Sequence, residues 1–363
     1  MSWNNGPVER RELLKKSGVA LTVGTVGTAG CMGGNGNGNG GNGGNGGNGG
    51  NGGNGDSEED VEITLASANG PESTIVQTIQ SEFIDRIENE TDGRISFNLE
   101  AGTIGGAEEV LDATVSGTTD MVIESPEATA TRFAPSYTFA GDPFVIRDIE
   151  HYRSVEEEFL LTEDGLNGEL LNNGLRMFKG YRWGNRGVTA NKSVTSPEDV
   201  QGLKMRLPQF DSWVGVWEEI GVDVTPVPFD ELYSALETGV ADSSEGPITQ
   251  FMSTSLYEVQ SHFSETNHLL SMHHFIMNEE FYQGLSTDDR DYMESVIEEA
   301  ADDVTDSIRE QEEDEYDAAR DEGTTIIRAD EVDREAFVEA GQPYLEELSS
   351  EEWAVDFQEI QDL

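Results

Sequence analysis

Gly202-Leu203-Lys204-Met205-Arg206-Leu207-Pro208 opens the stretch that decides the fold. Leu203, Met205 and Leu207 alternate with Lys204 and Arg206, the period of a half-buried strand, and Pro208 ends it. Ser212–Ile220 then carries apolar residues at helical spacing, Val222–Thr225 reads as a second strand, and Asp230–Thr238 as a second helix. Strands alternating with helical patterns at this spacing predict an α/β fold. Because Arg206 ends its strand, it projects at a carboxyl end, where ligands of open α/β sheets bind.

The same alternation runs through the first half of the chain. Val61–Ser67 reads as a strand, and Ser73–Thr91 as a helix with Ile75, Val76, Ile79, Phe83, Ile84 and Ile87 on one face and Gly93 as its stop. Arg94–Leu99 is a half-buried strand, Gly106–Ser116 a helix and Asp120–Glu124 a buried strand. His151–Leu171 is expected as a helix and Leu175–Lys179 as a strand. Two α/β halves predict a two-lobed α/β protein. Thr287–Asp321 contains neither Gly nor Pro and places Met293, Val296, Ile297, Ala300, Val304 and Ile308 at helical spacing. A helix of that length is about 50 Å long, enough to run across both lobes.

Upstream lies a different kind of sequence. Arg10-Arg11 is followed by an uncharged run from Ser17 to Gly30 that ends at Cys31, the single cysteine of the chain. Paired arginines, a short apolar run and small residues before a cysteine are the order of a twin-arginine export signal with a lipoprotein processing site. A helix of that run is too short to span a bilayer of about 30 Å. From Gly33 to Gly55 the chain is only Gly and Asn, which can bury no apolar side chain and behaves as a flexible coil. The expected organisation is a signal at 1–31, a tether at 32–56 and a two-lobed domain at 57–363. The protein would then be extracytoplasmic, at the cell surface, held to the outer face of the membrane by a lipid on Cys31.

Formal charge is −52, with 73 Asp and Glu against 21 Lys and Arg spread over the whole chain. Acid at that density with little lysine suits concentrated salt, where a Debye length of about 3 Å at 1 M screens self-repulsion. It also excludes nucleic acid as a partner, since no basic stripe exists. Catalytic and metal patterns are scarce. His273 and His274 are adjacent, so on a strand they face opposite sides and cannot hold one metal together. There is no Gly-x-Ser-x-Gly elbow and no phosphate-cradling glycine loop. No cofactor, metal or enzymatic activity is expected. The two arginines that flank strands, Arg186 and Arg206, have two readings: pairing with the surplus of acids, or presenting a planar fork to a carboxylate.

Gly202–Pro208 together with Pro226-Val227-Pro228-Phe229-Asp230-Glu231-Leu232-Tyr233-Ser234-Ala235-Leu236-Glu237-Thr238-Gly239-Val240-Ala241-Asp242 resembles the solute-binding subunits of TRAP (tripartite ATP-independent periplasmic) transporters. Ile104-Gly105-Gly106 followed by Glu109, Gly117-Thr118-Thr119-Asp120-Met121, Asp142-Pro143-Phe144 and Thr266-Asn267-His268 add weaker matches in family order. The resemblance implies a binding protein that captures an organic acid anion and hands it to membrane permease subunits. It places Arg206 at the arginine that clamps the ligand carboxylate, and Arg186 at a second ligand-facing arginine. Asn69, Ser125, Gln209 and Phe229 fall at cleft or pocket-wall positions. Both arginines are expected to be hydrated while the cleft is open.

One departure stands out. In Asp242-Ser243-Ser244-Glu245-Gly246-Pro247, Gly246 stands where the family often has a ligand-binding Asn. That removes a polar contact and is expected to open space, favouring a monocarboxylate or larger organic acid over sialic acid or a small dicarboxylate. Trp213 and Trp183 are available as flat apolar walls, with core packing as their other reading. Two other functions fit the residues alone: the binding protein of an ATP-driven importer, and a tethered hydrolase using two carboxylates.

Overall fold

The structure, a computed structural model, describes residues 59–363. The expected signal, Cys31 and the Gly/Asn tether lie outside them. Nine strands form one sheet among the described residues. They are β1 (Val61–Ser67), β2 (Ile95–Ala101), β3 (Met121–Glu124), β4 (Leu175–Ala190), β5 (Lys204–Leu207), β6 (Asp223–Pro226), β7 (Ser243–Pro247), β8 (His262–Asn278) and β9 (Thr325–Ile327). Their order is β2-β1-β3-β8-β4-β7-β5-β6, with β9 on β8.

Two long antiparallel strands organise this sheet. β4 and β8 pair from Leu175 opposite Asn278 to Ala190 opposite His262. At one end of this ribbon β3 adds to β8, with Glu124 opposite His274, and the parallel strands β1 and β2 follow. At the other end β7 adds to β4, with Ala190 opposite Ser243, and the parallel strands β5 and β6 follow. Each end is an α/β lobe, and the ribbon is common to both. Between them the ribbon slips register three times, at Met177/Gly180, Arg182/Gly184 and Arg186/Val188. Such bulges bend a strand and re-aim its side chains. Gly184 is required in the middle one: its φ is +146°, and a Cβ there would meet Oε1 of Glu312 at 2.7 Å.

Helix Thr287–Asp321 has the bounds the spacing predicts and ties the lobes together. Its Ser286 cap accepts from the Asp289 N–H at 3.0 Å. Met293 through Ile308 are buried with Ile63, Phe83 and Phe275 in the first lobe, while Tyr316 and Ala319 are buried with Leu232, Phe251 and Phe263 in the second. A third apolar cluster joins Phe144, Trp217 and Phe337, the last from a C-terminal helix Arg334–Glu351.

Two expectations need correction. His151–Leu171 is not one helix: Ile149–Val155 widens into a π-turn at Glu156–Leu160, and a new helix starts at Leu166. The buried Glu156 carboxylate accepts from the Gly180 N–H at 2.6 Å and from Arg153 at 2.6 Å, contacts to which the widened turn is tied. Leu175–Lys179 is only the start of a 16-residue strand. Its polar residues are buried with partners, as with Arg182 against Glu312 at 2.5 Å, so apolar alternation could not reveal it.

Candidate functional site

Between the lobes, on one face of the ribbon, lies a cavity of about 270 Å³. Four carboxyl-terminal strand ends converge on it. β1 leads to Asn69, and β3 ends on Glu124 and leads to Ser125. Ser125 caps helix Pro126–Phe133, its Oγ accepting from the Ala128 N–H at 3.1 Å. From the second lobe, β5 brings Arg206 and leads to Trp213, and β6 leads to Phe229. The ribbon contributes Trp183, Arg186, Ser271 and His273.

Both arginines are buried here, and their partners differ. Arg186 is 7% exposed and holds Glu245 in a fork, Nε to Oε2 at 2.5 Å and Nη2 to Oε1 at 2.8 Å. Its guanidinium also lies 5.1 Å from the Trp213 ring centroid and donates to Ser271 Oγ at 3.3 Å. Burial would raise the Glu245 carboxyl, but Arg186 and a hydrogen bond from His268 hold it well below the usual carboxylate range. Burial lowers His268, so its ring is neutral. The network then assigns Nε2–H to Glu245 at 3.1 Å, with Nδ1 accepting from the Thr266 hydroxyl at 2.7 Å. Arg186, Glu245 and His268 thus close on themselves.

Arg206 does not. It is 3% exposed, its Nε donates to the Val227 carbonyl at 2.9 Å, and it has no carboxylate partner among the described residues. Burial presses its guanidinium down to about 10, with Arg186 adding to the effect and Glu245 opposing it. The acids of the cavity wall do not answer it. Burial pushes Glu124 up to about 7. Glu127 is raised well above its ordinary range by burial and by Asp142, which burial itself pushes to about 7. In a chain of charge −52, no carboxylate among the described residues pairs directly with this buried guanidinium, which Glu245 stabilises only at a distance.

Six of the eight residues expected at the site line the cavity: Asn69, Ser125, Arg186, Arg206, Trp213 and Phe229. Trp213 satisfies both of its readings, since it is 4% exposed, donates from Nε1 to the Gly141 carbonyl at 2.9 Å, and still forms wall. Phe229 is half exposed. Gln209 is exposed and off the cavity. Gly246 is buried, yet the space expected beside it is filled: a Cβ there would meet Gln250 Nε2 at 2.9 Å and Oε1 at 3.2 Å. Gln250, on helix Ile248–Ser253, is 7% exposed, lines the cavity, and its amide has no hydrogen-bond partner among the described residues. Sequence reading missed it. The available signal was an amide four residues beyond the missing side chain. Glu124, Glu127 and Glu245 were also missed, because in a chain with 73 acids no single carboxylate stands out.

His273 and His274 do lie on opposite faces. His273 lines the cavity edge-on to Trp183, while His274 bonds the Tyr152 hydroxyl at 2.6 Å and the Phe178 carbonyl at 2.7 Å. Among the described residues no group of three His, Cys, Asp or Glu is arranged to hold a metal.

Residues 65–352 match the sequence profile of a family described as bacterial extracellular solute-binding protein, family 7. It is a family of solute-binding proteins rather than enzymes. The ectoine-binding periplasmic protein of Halomonas elongata is 28% identical over 72% of this chain and 77% of its own length. The sialic acid-binding periplasmic protein of Vibrio cholerae is 30% identical over 57% of this chain. The chain spans 64% of that relative, a little under two thirds. Among solved structures, a TRAP periplasmic solute-binding protein from Bordetella, with density attributed to pantoate, superposes with a TM-score of 0.73 at 25% identity. That superposition covers 83% of this chain and 99% of the other.

Proposed function

Because the chain belongs to family 7 of the bacterial extracellular solute-binding proteins, we propose that it captures a small organic acid through a clamp between Arg206 and the ligand carboxylate, and delivers it to the membrane subunits of a TRAP-type transporter. The observation that carries this reading is the buried Arg206, whose one hydrogen bond among the described residues goes to a neutral carbonyl while the neighbouring Arg186 is already paired with Glu245. One free guanidinium suits one carboxylate. The Gln250 amide beside it, without a partner among the described residues, suits a hydroxyl or a second polar group of the same ligand. Relatives whose names specify sialic acid and 2,3-diketo-L-gulonate agree with an acid of this kind.

Binding energy would drive closure of the lobes about the bulged ribbon, expelling water and strengthening the pair. Only the higher affinity of the closed form can shift that equilibrium. The closed form would dock on permease subunits that this chain does not contain. Anchoring through a lipid on Cys31, after twin-arginine export, rests on the sequence of residues 1–55 and would let the domain reorient above its permease. Cys31→Ser should then release the protein from membranes; a variant retained as firmly as wild type would refute the anchor. Work in concentrated salt rests on the charge of −52.

A thermal-shift screen of organic acids in about 1 M KCl tests the main reading, since a ligand at 100 times its Kd adds about 2.7 kcal/mol. An acid that stabilises while its amide or ester does not is the expected result. If no carboxylate in a broad panel shifts the transition, the proposed function is wrong.

A further inference from the structure

A second cavity, of about 300 Å³, has a different chemistry. Arg147, Arg182, Arg309 and Arg334 line it, with Asp148 as the single acid. In a chain with 21 basic residues against 73 acidic ones, four arginines around one carboxylate is a strong local inversion of charge. The ribbon separates this cavity from the ligand site. Trp183 and Arg186 line the ligand cavity, whereas Arg182 and Asn185, on either side of the Gly184 bulge, line this one.

Two of these arginines pair with acids, Arg182 with Glu312 and Arg309 with Asp306, and two do not. Arg147 donates to the Gln361 carbonyl at 2.6 Å, and Arg334 to the carbonyls of Asn267 at 2.9 Å and Ile146 at 3.3 Å; neither has a carboxylate partner among the described residues. Arg182 is 6% exposed and gives one nitrogen to Glu312, but its Nη1 is buried with no partner among the described residues. Arg309 reaches in from the spanning helix with only a 3.4 Å contact to the exposed Asp306. The carboxylate of Asp148 is engaged in capping its own helix, accepting from the His151 N–H at 2.9 Å. Burial depresses the Arg334 guanidinium, Asp148 opposes this and Arg147 adds to it.

We propose that this cavity is a binding site for a small inorganic anion, a halide or a tetrahedral oxyanion such as sulfate. Guanidinium forks match oxyanion geometry, and asparagine amides supply neutral donors beside them. An anion there would join the ribbon, the spanning helix, the loop at Arg147 and the C-terminal helix.

Equilibrium dialysis of the full chain with radiolabelled sulfate, at constant ionic strength, decides it. Wild type should show one saturable site. Arg147→Gln/Arg309→Gln, which removes two exposed guanidiniums, should bind at least about tenfold more weakly, by the scale of charge-assisted hydrogen bonds. Arg206→Gln should bind like wild type. Absence of a saturable site in wild type, or unchanged affinity in the double variant, overturns the proposal. So does loss of binding in Arg206→Gln alone, which would place the sulfate in the ligand cavity. If the double variant does not fold, crystals of wild type soaked in bromide give a second reading. An anomalous peak among the four arginines is expected, and an empty cavity refutes the site.

Discussion

Replacing Arg206 by alanine separates binding from stability more sharply than any other change in this protein. In the unliganded structure Arg206 is a cation 97% buried by its 3% exposure, with one hydrogen bond, to the Val227 carbonyl at 2.9 Å. Removing it loses that bond and some packing, but it also relieves the desolvation that presses the guanidinium down to about 10. The two effects oppose each other, so the unliganded variant should unfold within about 1 kcal/mol of wild type. The liganded state behaves otherwise. A ligand carboxylate enclosed without its guanidinium is an unpaired buried charge, which is unfavourable by about 3–5 kcal/mol, or roughly 10²–10⁴ in affinity. Arg206→Lys should restore only part of this, because an ammonium lacks the fork. Calorimetric titration with an acid found by the thermal-shift screen measures the affinities, and urea denaturation of the unliganded proteins measures stability. Wild-type affinity in Arg206→Ala would remove the clamp. A large loss of unliganded stability would show that Arg206 is held for packing instead.

Three further outcomes follow from neighbouring groups. Arg186→Ala should reverse the pattern of Arg206. It strands Glu245, whose side chain is fully buried, and should destabilise the unliganded protein by about 3–5 kcal/mol in urea, with Glu245→Gln recovering part; a loss below about 1 kcal/mol would contradict the closed Arg186–Glu245–His268 network. Gln250→Leu keeps the volume but removes the cavity amide, so affinity should fall by about 1–3 kcal/mol in calorimetry with folding intact; unchanged affinity would mean that the amide never meets the ligand. Asp142 carries part of the pH dependence, alongside the raised carboxyls of Glu124 and Glu127. Its carboxyl rises from 3.8 unfolded to about 7 folded, with one oxygen accepting from Ser212 at 2.5 Å and the other buried without a partner among the described residues. A raised carboxyl favours the fold below its unfolded value, and that contribution is lost as pH rises through about 7. Asp142→Asn, which cannot titrate, should therefore lose less stability than wild type between about pH 5 and pH 8; parallel profiles would show that Asp142 is ionised in the fold.

Much of this protein was legible before any coordinates. Apolar periodicity alone placed helix Thr287–Asp321 at its observed ends, because 35 residues without Gly or Pro carry one continuous stripe that only burial explains. The strand alternation before Pro208 and the run Met121–Glu124 likewise betrayed two of the carboxyl ends that build the cleft. What periodicity could not show was the ribbon. β4 and β8 carry Arg182, Arg186, Glu265, His268, His273 and His274, residues that read as surface until their partners are known. Those partners come from other elements, from 23 positions away for His268 and Glu245 to 59 for Arg186 and Glu245 and farther still for Arg182 and Glu312. Charge neutralisation at that range is a property of the tertiary structure.

The site divides along the same line. That Arg206 sits at a strand end was a matter of sequence; that Arg186 is already neutralised while Arg206 is not depended on where Glu245 came to lie. Gly246 could be read as a missing contact, but only the packed helix behind it shows the Gln250 amide standing in the space. Local sequence determines which side chains a strand or helix presents, because backbone geometry sets their period. Which of those side chains remain unpaired is decided by contacts distant in sequence, and here that choice singles out Arg206 and the Gln250 amide among the described residues.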